Sequence, residues 1–486
     1  MSEIHEECGI FGVCSRTITK DVSVYCRTAL YALQHRGQES CGIVVNNDGI
    51  FKQQKYLGLV PNTLYERRLN RLGEGNICIG HVRYSTTGGN FLENAQPVLT
   101  RHAKGSLAIA HNGNLTNADD LRRKYELQGK IFQTTNDSEV ISYAVTEARL
   151  KSKTIEAAVL LAMKKIKGAY SIVVMSSSKL IAARDPNGIR PLCLGHLPDG
   201  SPVVASESCA LDCIGARFER ELQPGEVFVA NVDTTEEYSL FYDGKKGSAL
   251  CAFEFVYIAR ADSIIENVSV HDARLNAGKI LWEEEKLLTK ETADIVIGVP
   301  SSGLDGALGY SNASGIPYNV GFIKNNYVGR TFINPEQSDR ISDIDMKLNV
   351  IKSVVKDKRV VLLDDSIVRG NTCRRIIQKL RDAGAKEVHF RVLSPVFKHA
   401  CFYGIDIDSQ DDLVSHGRDI SQINDYIGAD SLNYLSVKGV RRSAGDLGSS
   451  CKFCTACFDG KYPVPVPKDT SKYKFDKPKS EQLTLG

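Results

Sequence analysis

The sequence predicts two domains of mixed architecture, an α+β first half followed by an α/β second half, and three observations carry that prediction. Its 486 residues, 42% of them hydrophobic, suffice for two ordinary domains with substantial cores. In the first half, short apolar strands such as 77–79 and 107–110 alternate with helical patterns near 24–34 and 155–167. A polar, turn-rich passage at Asp243-Gly244-Lys245-Lys246-Gly247-Ser248 marks the boundary. Beyond it strand and helix patterns alternate, as in a domain built on a parallel sheet. The expected division is a leader at 1–7, domains at 8–245 and 246–445, and a C-terminal extension at 446–486. From Val464 onward the chain is rich in Pro, Lys and Ser, and a loose or disordered arm is expected there.

Cys8 follows the short acidic leader and precedes Gly9-Ile10-Phe11-Gly12-Val13. If the leader is removed, thiol and α-amine share one residue. An α-amine titrates at about 7.7 to 8.0, so it can take the thiol proton and return it to a leaving group. Alone, a cysteine near a terminus reads more readily as a small buried hydrophobe than as a nucleophile.

Four further segments follow in order: His35-Arg36-Gly37-Gln38-Glu39-Ser40, Gly80-His81-Val82-Arg83-Tyr84-Ser85-Thr86, His111-Asn112-Gly113-Asn114 and Thr135-Asn136-Asp137-Ser138-Glu139. With the Cys8 segment, and with 184–192 (Arg-Asp-Pro-Asn-Gly-Ile-Arg-Pro-Leu), they resemble the N-terminal nucleophile glutamine amidotransferases over about residues 8–240. The resemblance implies a four-layer αββα sandwich with Cys8 as nucleophile. It assigns the Asn112 side-chain amide and the Gly113 N–H to the tetrahedral oxyanion, a task for preorganised donors. It assigns Arg83 to the α-carboxylate of glutamine and Asp137 to the α-ammonium. Taken singly, Arg83 reads as a solvated charge and Asp137 as a helix N-cap.

In the second half, 360–363 reads as a buried strand, 364–372 as a polar loop, and Ile376, Ile377, Leu380 and Ala383 as the apolar face of a helix that Gly384 could cap. The adjacent carboxylates Asp364 and Asp365 can hold Mg²⁺ or a ribose diol. Loop N–H groups and a helix N-terminus suit a phosphate. No Walker loop occurs in this unit. The run 360–372 resembles the phosphoribosyl pyrophosphate (PRPP) loop of type I phosphoribosyltransferases, which implies PRPP binding by Asp364, Asp365, Ser366, Arg369, Gly370 and Thr372. Pro300-Ser301-Ser302-Gly303 resembles that family's pyrophosphate loop, with Ser302 joining Asp364 and Asp365 at Mg²⁺. Ser301 stands where an acidic residue is common. The segment from Lys324 through Arg330 resembles the loop that closes over pyrophosphate, and its continuation 338–349 is less basic than in many relatives. Arg260 matches the segment between the domains.

Together the halves resemble the glutamine PRPP amidotransferases over Cys8 to about Pro463. The implied reaction is glutamine, PRPP and water to 5-phosphoribosylamine, glutamate and pyrophosphate, the first step of de novo purine biosynthesis. Ammonia released at Cys8 must reach the sugar C1 shielded from water. The resemblance also implies inhibition by purine nucleotides and a homotetramer. The loop at 364–372 argues against hexosamine-forming and asparagine-forming relatives. A catalytically weak paralogue that binds PRPP or purine nucleotides for regulation is the rival reading, suggested by Ser301 and the altered closing loop.

Fourteen cysteines occur without a hydrophobic signal segment, so a reducing, cytoplasmic setting is expected rather than a disulfide framework. Cys251, Cys401, Cys454 and Cys457 match the 4Fe–4S ligands of relatives that also carry a leader. Four thiolates suit tetrahedral zinc equally well, and buried thiols without metal are the third reading. Cys451 could be mistaken for a ligand or substitute for one. A net charge of +3 with interspersed signs gives no electrostatic case for nucleic acid or an anionic membrane. The longest strongly apolar stretch, 157–163, is far below a membrane span of roughly 20 residues.

Overall fold

The computed structural model describes residues 8–85, 87–244, 247–325, 347–407, 409–448 and 452–467. The leader, Arg330, Cys451, most of the 338–349 segment and the tail beyond 467 lie outside them.

Two antiparallel sheets occupy the first half. One has seven strands in the order Arg217–Glu221, Cys193–His196, Pro202–Ala205, Gly9–Thr19, Gly75–Arg83, Ser40–Asn47, Ile50–Leu57. The other has six, in the order Glu237–Phe241, Glu226–Asn231, Lys179–Arg184, Gly168–Met175, Gly105–Leu115, Val98–His102. Period-two alternation sends each strand's side chains to two different cores. Along Gly9–Thr19, Phe11 and Val13 pack under helix Asp21–Ala32, whose Val22, Cys26, Ala29 and Leu30 recur at helical spacing. Ile10 and Cys14 face the other way, against Ala108, Val173, Leu180 and Ala182 of the second sheet. Leu107, Ile109 and Tyr170 leave that sheet on its far side to meet helices Ser138–Lys151 and Ile155–Met163. The result is helix, sheet, sheet, helix: the expected αββα sandwich.

The second half is built on a parallel sheet in the order Ile295–Gly298, Arg359–Asp364, Glu387–Val392, Ser431–Tyr434. Its strands are covered on both faces, which explains the unbroken apolar run at 360–363. Val361 and Leu363 pack with Ile280, Ala307 and Tyr310 of helices Val270–Glu285 and Gly303–Ser314. Val360 and Leu362 pack with Ile376, Ile377 and Leu380 of helix Asn371–Asp382. That helix ends at Ala383, with Gly384 following at φ +94°. Among the described residues no helix is long and apolar enough to cross a membrane.

One expectation needs correction at its start. Val464 is not part of a loose arm: it is buried, its N–H donates to the Tyr403 hydroxyl at 3.0 Å, and that hydroxyl donates to the Val464 carbonyl at 2.7 Å. A tyrosine that buries its ring and satisfies its hydroxyl on the chain holds the segment in place.

Candidate active site

Cys8 enters the seven-stranded sheet where Gly9 pairs with Val82. Its buried thiol lies 3.4 Å from the Tyr84 carbonyl, and Arg36 Nε donates to the Cys8 carbonyl at 3.1 Å. The Gly75–Arg83 strand meets the second sheet at two histidines, where His81 Nε2 is 2.9 Å from the His111 carbonyl. Burial pushes the His81 imidazole down to about 3, so it is neutral and Nε2 carries the donated proton. This contact brings the Cys8 end of one sheet to Asn112 and Gly113 of the other.

The Asn112 side chain is fully buried, and among the described residues neither its Nδ2 nor its Oδ1 has a hydrogen-bond partner. A buried amide without partners is an expense that native proteins rarely tolerate away from functional sites. Gly113 has φ +138°, and a Cβ there would lie 2.1 Å from the Ala169 carbonyl oxygen, so only glycine fits.

Arg83 is buried rather than solvated, and its guanidinium donates to the carbonyls of Thr87, Gly88 and Gly89 at 3.0, 3.0 and 3.2 Å. Asp137 occupies the N-cap position of Ser138–Lys151 but makes no capping bond there. Its Oδ2 instead accepts the Leu115 N–H at 2.8 Å, and Oδ1 lies 3.5 Å from His111 Nδ1. The carboxylate is thereby tied to the strand that carries Asn112.

In the second half, the loop after Arg359–Asp364 closes on itself. Asp364 and Asp365 are buried, and the Asp365 N–H donates to Asp364 Oδ1 at 2.9 Å. Ser302 and Ser366 hydroxyls donate to the two oxygens of Asp365. Burial pushes both carboxyls up, and the neighbouring Asp365 adds to the effect at Asp364. This oxygen-rich set of two carboxyls and a hydroxyl fits a hard divalent cation such as Mg²⁺, whose charge would favour the ionised carboxylates. Gly370 sits at the N-cap of Asn371–Asp382 with φ +87°, so Thr372 lies in the first turn and N–H groups open toward the loop. Arg369 is half-exposed and 3.8 Å from Asp412. Lys324 ends the strand Phe322–Lys324, exposed, and Ser301 is exposed beside the half-buried Ser302.

The four cysteines converge. Leu250–Cys251 pairs in parallel with Phe453–Cys454, setting Cys251 opposite Cys454. Burial pushes the Cys457 thiol well up, and Cys401, Cys251 and Cys454 push it further; burial, with a contribution from Cys401, takes Cys454 to about 12. None of the described cysteines is in a disulfide. Among the described residues no three His, Cys, Asp or Glu side chains are placed to hold a single metal ion. Four mutually interacting thiols are the kind of donor set that either an iron–sulfur cluster or a zinc ion uses.

Between the halves lies a buried charge network to which the sequence reading assigned no role. Arg36 Nη1 meets Glu207 Oε1 at 2.6 Å, Arg36 Nη2 meets Glu254 Oε1 at 2.9 Å, and Arg190 Nη1 meets Glu254 Oε1 at 3.3 Å. Glu207 Oε2 accepts from the Arg260 N–H at 2.9 Å and from the Ser263 hydroxyl at 2.7 Å. Arg36 and Arg190 stand inside the motifs at 35–40 and 184–192, which was the only signal available.

The model of a glutamine amidotransferase domain matches residues 81–213, and that of a phosphoribosyl transferase domain matches 269–402. The chain is 43% identical to the amidophosphoribosyltransferase of Bacillus subtilis over 472 residues, covering 96% of each chain. It is 41% identical to that of Methanothermobacter thermautotrophicus, covering 97% of this chain and 98% of the other. It is similar to the solved structure of glutamine PRPP amidotransferase from B. subtilis complexed with ADP and GMP, with TM-score 0.86 and 42% identity, over 96% of this chain and 99% of that one. Identity of this extent, on a fold that joins a thiol site to a phosphoribosyltransferase sheet, establishes that the chain belongs to the amidophosphoribosyltransferase family.

Proposed function

We propose that the chain converts glutamine, PRPP and water into 5-phosphoribosylamine, glutamate and pyrophosphate, with ammonia passed from Cys8 to the PRPP site. The observation that supports this most is the buried, unpartnered Asn112 amide beside Gly113, in a chain whose second half carries the Asp364–Asp365 loop. Once residues 1–7 are removed, the Cys8 amine takes the thiol proton and the thiolate attacks the side-chain amide of glutamine. Arg83 and Asp137 hold the α-carboxylate and α-ammonium. Asn112 Nδ2 and the Gly113 N–H receive the oxyanion, and the Cys8 amine returns the proton to departing ammonia. Water then releases glutamate.

In the second half, Ser366, Arg369, Gly370 and Thr372 bind PRPP through hydroxyl, guanidinium and loop N–H groups, and Lys324 and Arg330 supply closing cations. Asp364, Asp365 and Ser302 would hold Mg²⁺, which when bound offsets the charge of the leaving pyrophosphate. Loss of pyrophosphate leaves oxocarbenium character at C1, which ammonia attacks; exclusion of water is what makes this productive. Cys251, Cys401, Cys454 and Cys457 would hold a 4Fe–4S cluster, which when bound ties the start of the second domain to the C-terminal extension.

The corresponding domains are 8–245 and 246–445, with the extension at 446–486. Purine nucleotides are the expected inhibitors, in keeping with the ADP and GMP bound to the B. subtilis relative, and the expected assembly is a cytoplasmic homotetramer.

Intact mass and N-terminal sequencing of anaerobically purified protein, with glutamate release measured with and without PRPP, test the reading. A chain beginning at Cys8 whose glutamate release is stimulated by PRPP is expected. A retained leader together with release indifferent to PRPP would contradict it.

A further inference from the structure

Glu254 opens a single helical turn, Glu254–Ile258, three residues after Cys251, and its side chain is wholly buried. Removing a carboxylate from water is costly, and one is retained only where cations and hydrogen bonds compensate it. Here two guanidinium groups do so. Arg36 grips it from the nucleophile side, with Nη2 at 2.9 Å from Oε1 and Nη1 at 3.0 Å from Oε2. Arg190 reaches Oε1 at 3.3 Å. Both guanidinium groups are as fully buried as the carboxylate.

Each arginine has a second attachment, one at the nucleophile and the other on a stretch that packs against the strand of Asn112 and Gly113. Arg36 Nε holds the carbonyl of Cys8 at 3.1 Å. Arg190 donates twice to the Tyr403 carbonyl, from Nε at 3.0 Å and from Nη2 at 2.5 Å. Tyr403 belongs to the 402–406 stretch that lies against the oxyanion strand. Asn114 Nδ2 donates to the Phe402 carbonyl at 3.0 Å, and a Cβ built on Gly404 would stand 3.5 Å from the Gly113 carbonyl carbon.

From this arrangement we infer that Glu254 is a positioning residue for the glutaminase half-reaction. Through Arg36 it fixes the backbone of the nucleophile, and through Arg190 it holds the 402–406 stretch against Gly113. One carboxylate from the phosphoribosyltransferase half thus sets the spacing between attacking thiol and oxyanion donor. The inference rests on the function proposed above.

The test is Glu254→Gln, which keeps shape and removes charge, assayed for phosphoribosylamine formation from glutamine and from added ammonia. The glutamine-dependent kcat falls about tenfold or more, because small misplacements of reacting groups are amplified in rate. Ammonia-dependent synthesis stays within about twofold, and Glu254→Asp recovers part of the glutamine-dependent rate. A merely structural carboxylate would lower both activities together, and that result, or a glutamine-dependent rate within twofold of the parent, overturns the inference. If Glu254→Gln does not fold, Arg190→Lys carries the same comparison, since lysine keeps the charge but lacks the fork that spans Glu254 and Tyr403. Failure of the parent protein in both assays would instead sink the proposed reaction.

Discussion

Cys251 and Cys454 stand opposite each other in parallel register, although they are 203 positions apart in the chain. A two-residue strand pair is too short to be stable alone, so something beyond backbone pairing holds the C-terminal segment to the start of the second domain. A 4Fe–4S cluster on Cys251, Cys401, Cys454 and Cys457 supplies that link in our account. Cys454→Ser is expected to lose the brown colour and most of the approximately four irons per chain of the parent. Stoichiometric zinc in a colourless parent protein would contradict this.

Asn112→Ala separates function from stability. Its amide has no hydrogen-bond partner among the described residues, so truncation removes an unsatisfied buried group and changes the thermal midpoint little or upward. Loss of an oxyanion donor lowers glutamine-dependent kcat by roughly 10²–10³. Thermal unfolding beside steady-state kinetics checks the pair of outcomes; a destabilised variant with normal kcat would show that Asn112 is a structural residue.

Asp365 accepts hydroxyl donations from Ser302 and Ser366, so it joins the pyrophosphate loop to the PRPP loop. Asp365→Asn removes half of a buried acidic pair and the charge that a Mg²⁺ site requires. Both glutamine-dependent and ammonia-dependent synthesis then fall, by about 10² or more if the residue holds the metal that clamps pyrophosphate. Isothermal titration of PRPP with Mg²⁺ present should show weakened binding. Unchanged binding would remove Asp365 from the site.

Glu207 makes stability depend on acid. Burial alone would push its carboxyl up, but attraction to His35 and Arg36 and hydrogen bonds from His35 and Ser263 outweigh this and hold it well below the carboxylate range. A folded-state value depressed below the unfolded one, about 4.3 for glutamate, contributes stability that is fully present above that value. It is lost as pH falls below it toward the folded value. Glu207→Gln, which leaves Arg36 short of a buried partner, is expected to lower stability by about 3–5 kcal/mol at pH 7. The deficit should narrow as pH falls below about 4. Thermal midpoints of both proteins across that range check it, and a deficit independent of pH would contradict it.

Much of this architecture was legible in residue pattern. The helix at Asn371–Asp382 showed Ile376, Ile377 and Leu380 on one face, and the apolar run at 360–363 matched a strand covered on both sides. The sandwich was harder, because strands buried on both faces, such as Gly168–Met175, show no polar alternation. For that half the ordered motifs carried more than the periodicity did. Asp137 looked like a cap, and only the structure shows its carboxylate turned to Leu115 instead. The Arg36–Glu254–Arg190 network was illegible for a physical reason. Ion pairs between residues 218 and 64 positions apart leave no local pattern, and a glutamate at a helix start is ordinary.

The most direct test of the account is Cys8→Ala, assayed with glutamine and then with ammonia at saturating PRPP. The account predicts that glutamine-dependent phosphoribosylamine formation disappears while ammonia-dependent formation stays close to that of the parent protein, since only the thiol half of the chain has been disabled. Survival of glutamine-dependent formation, or loss of both activities in a folded variant, would contradict the assignment of Cys8 as the nucleophile that feeds a separate PRPP site.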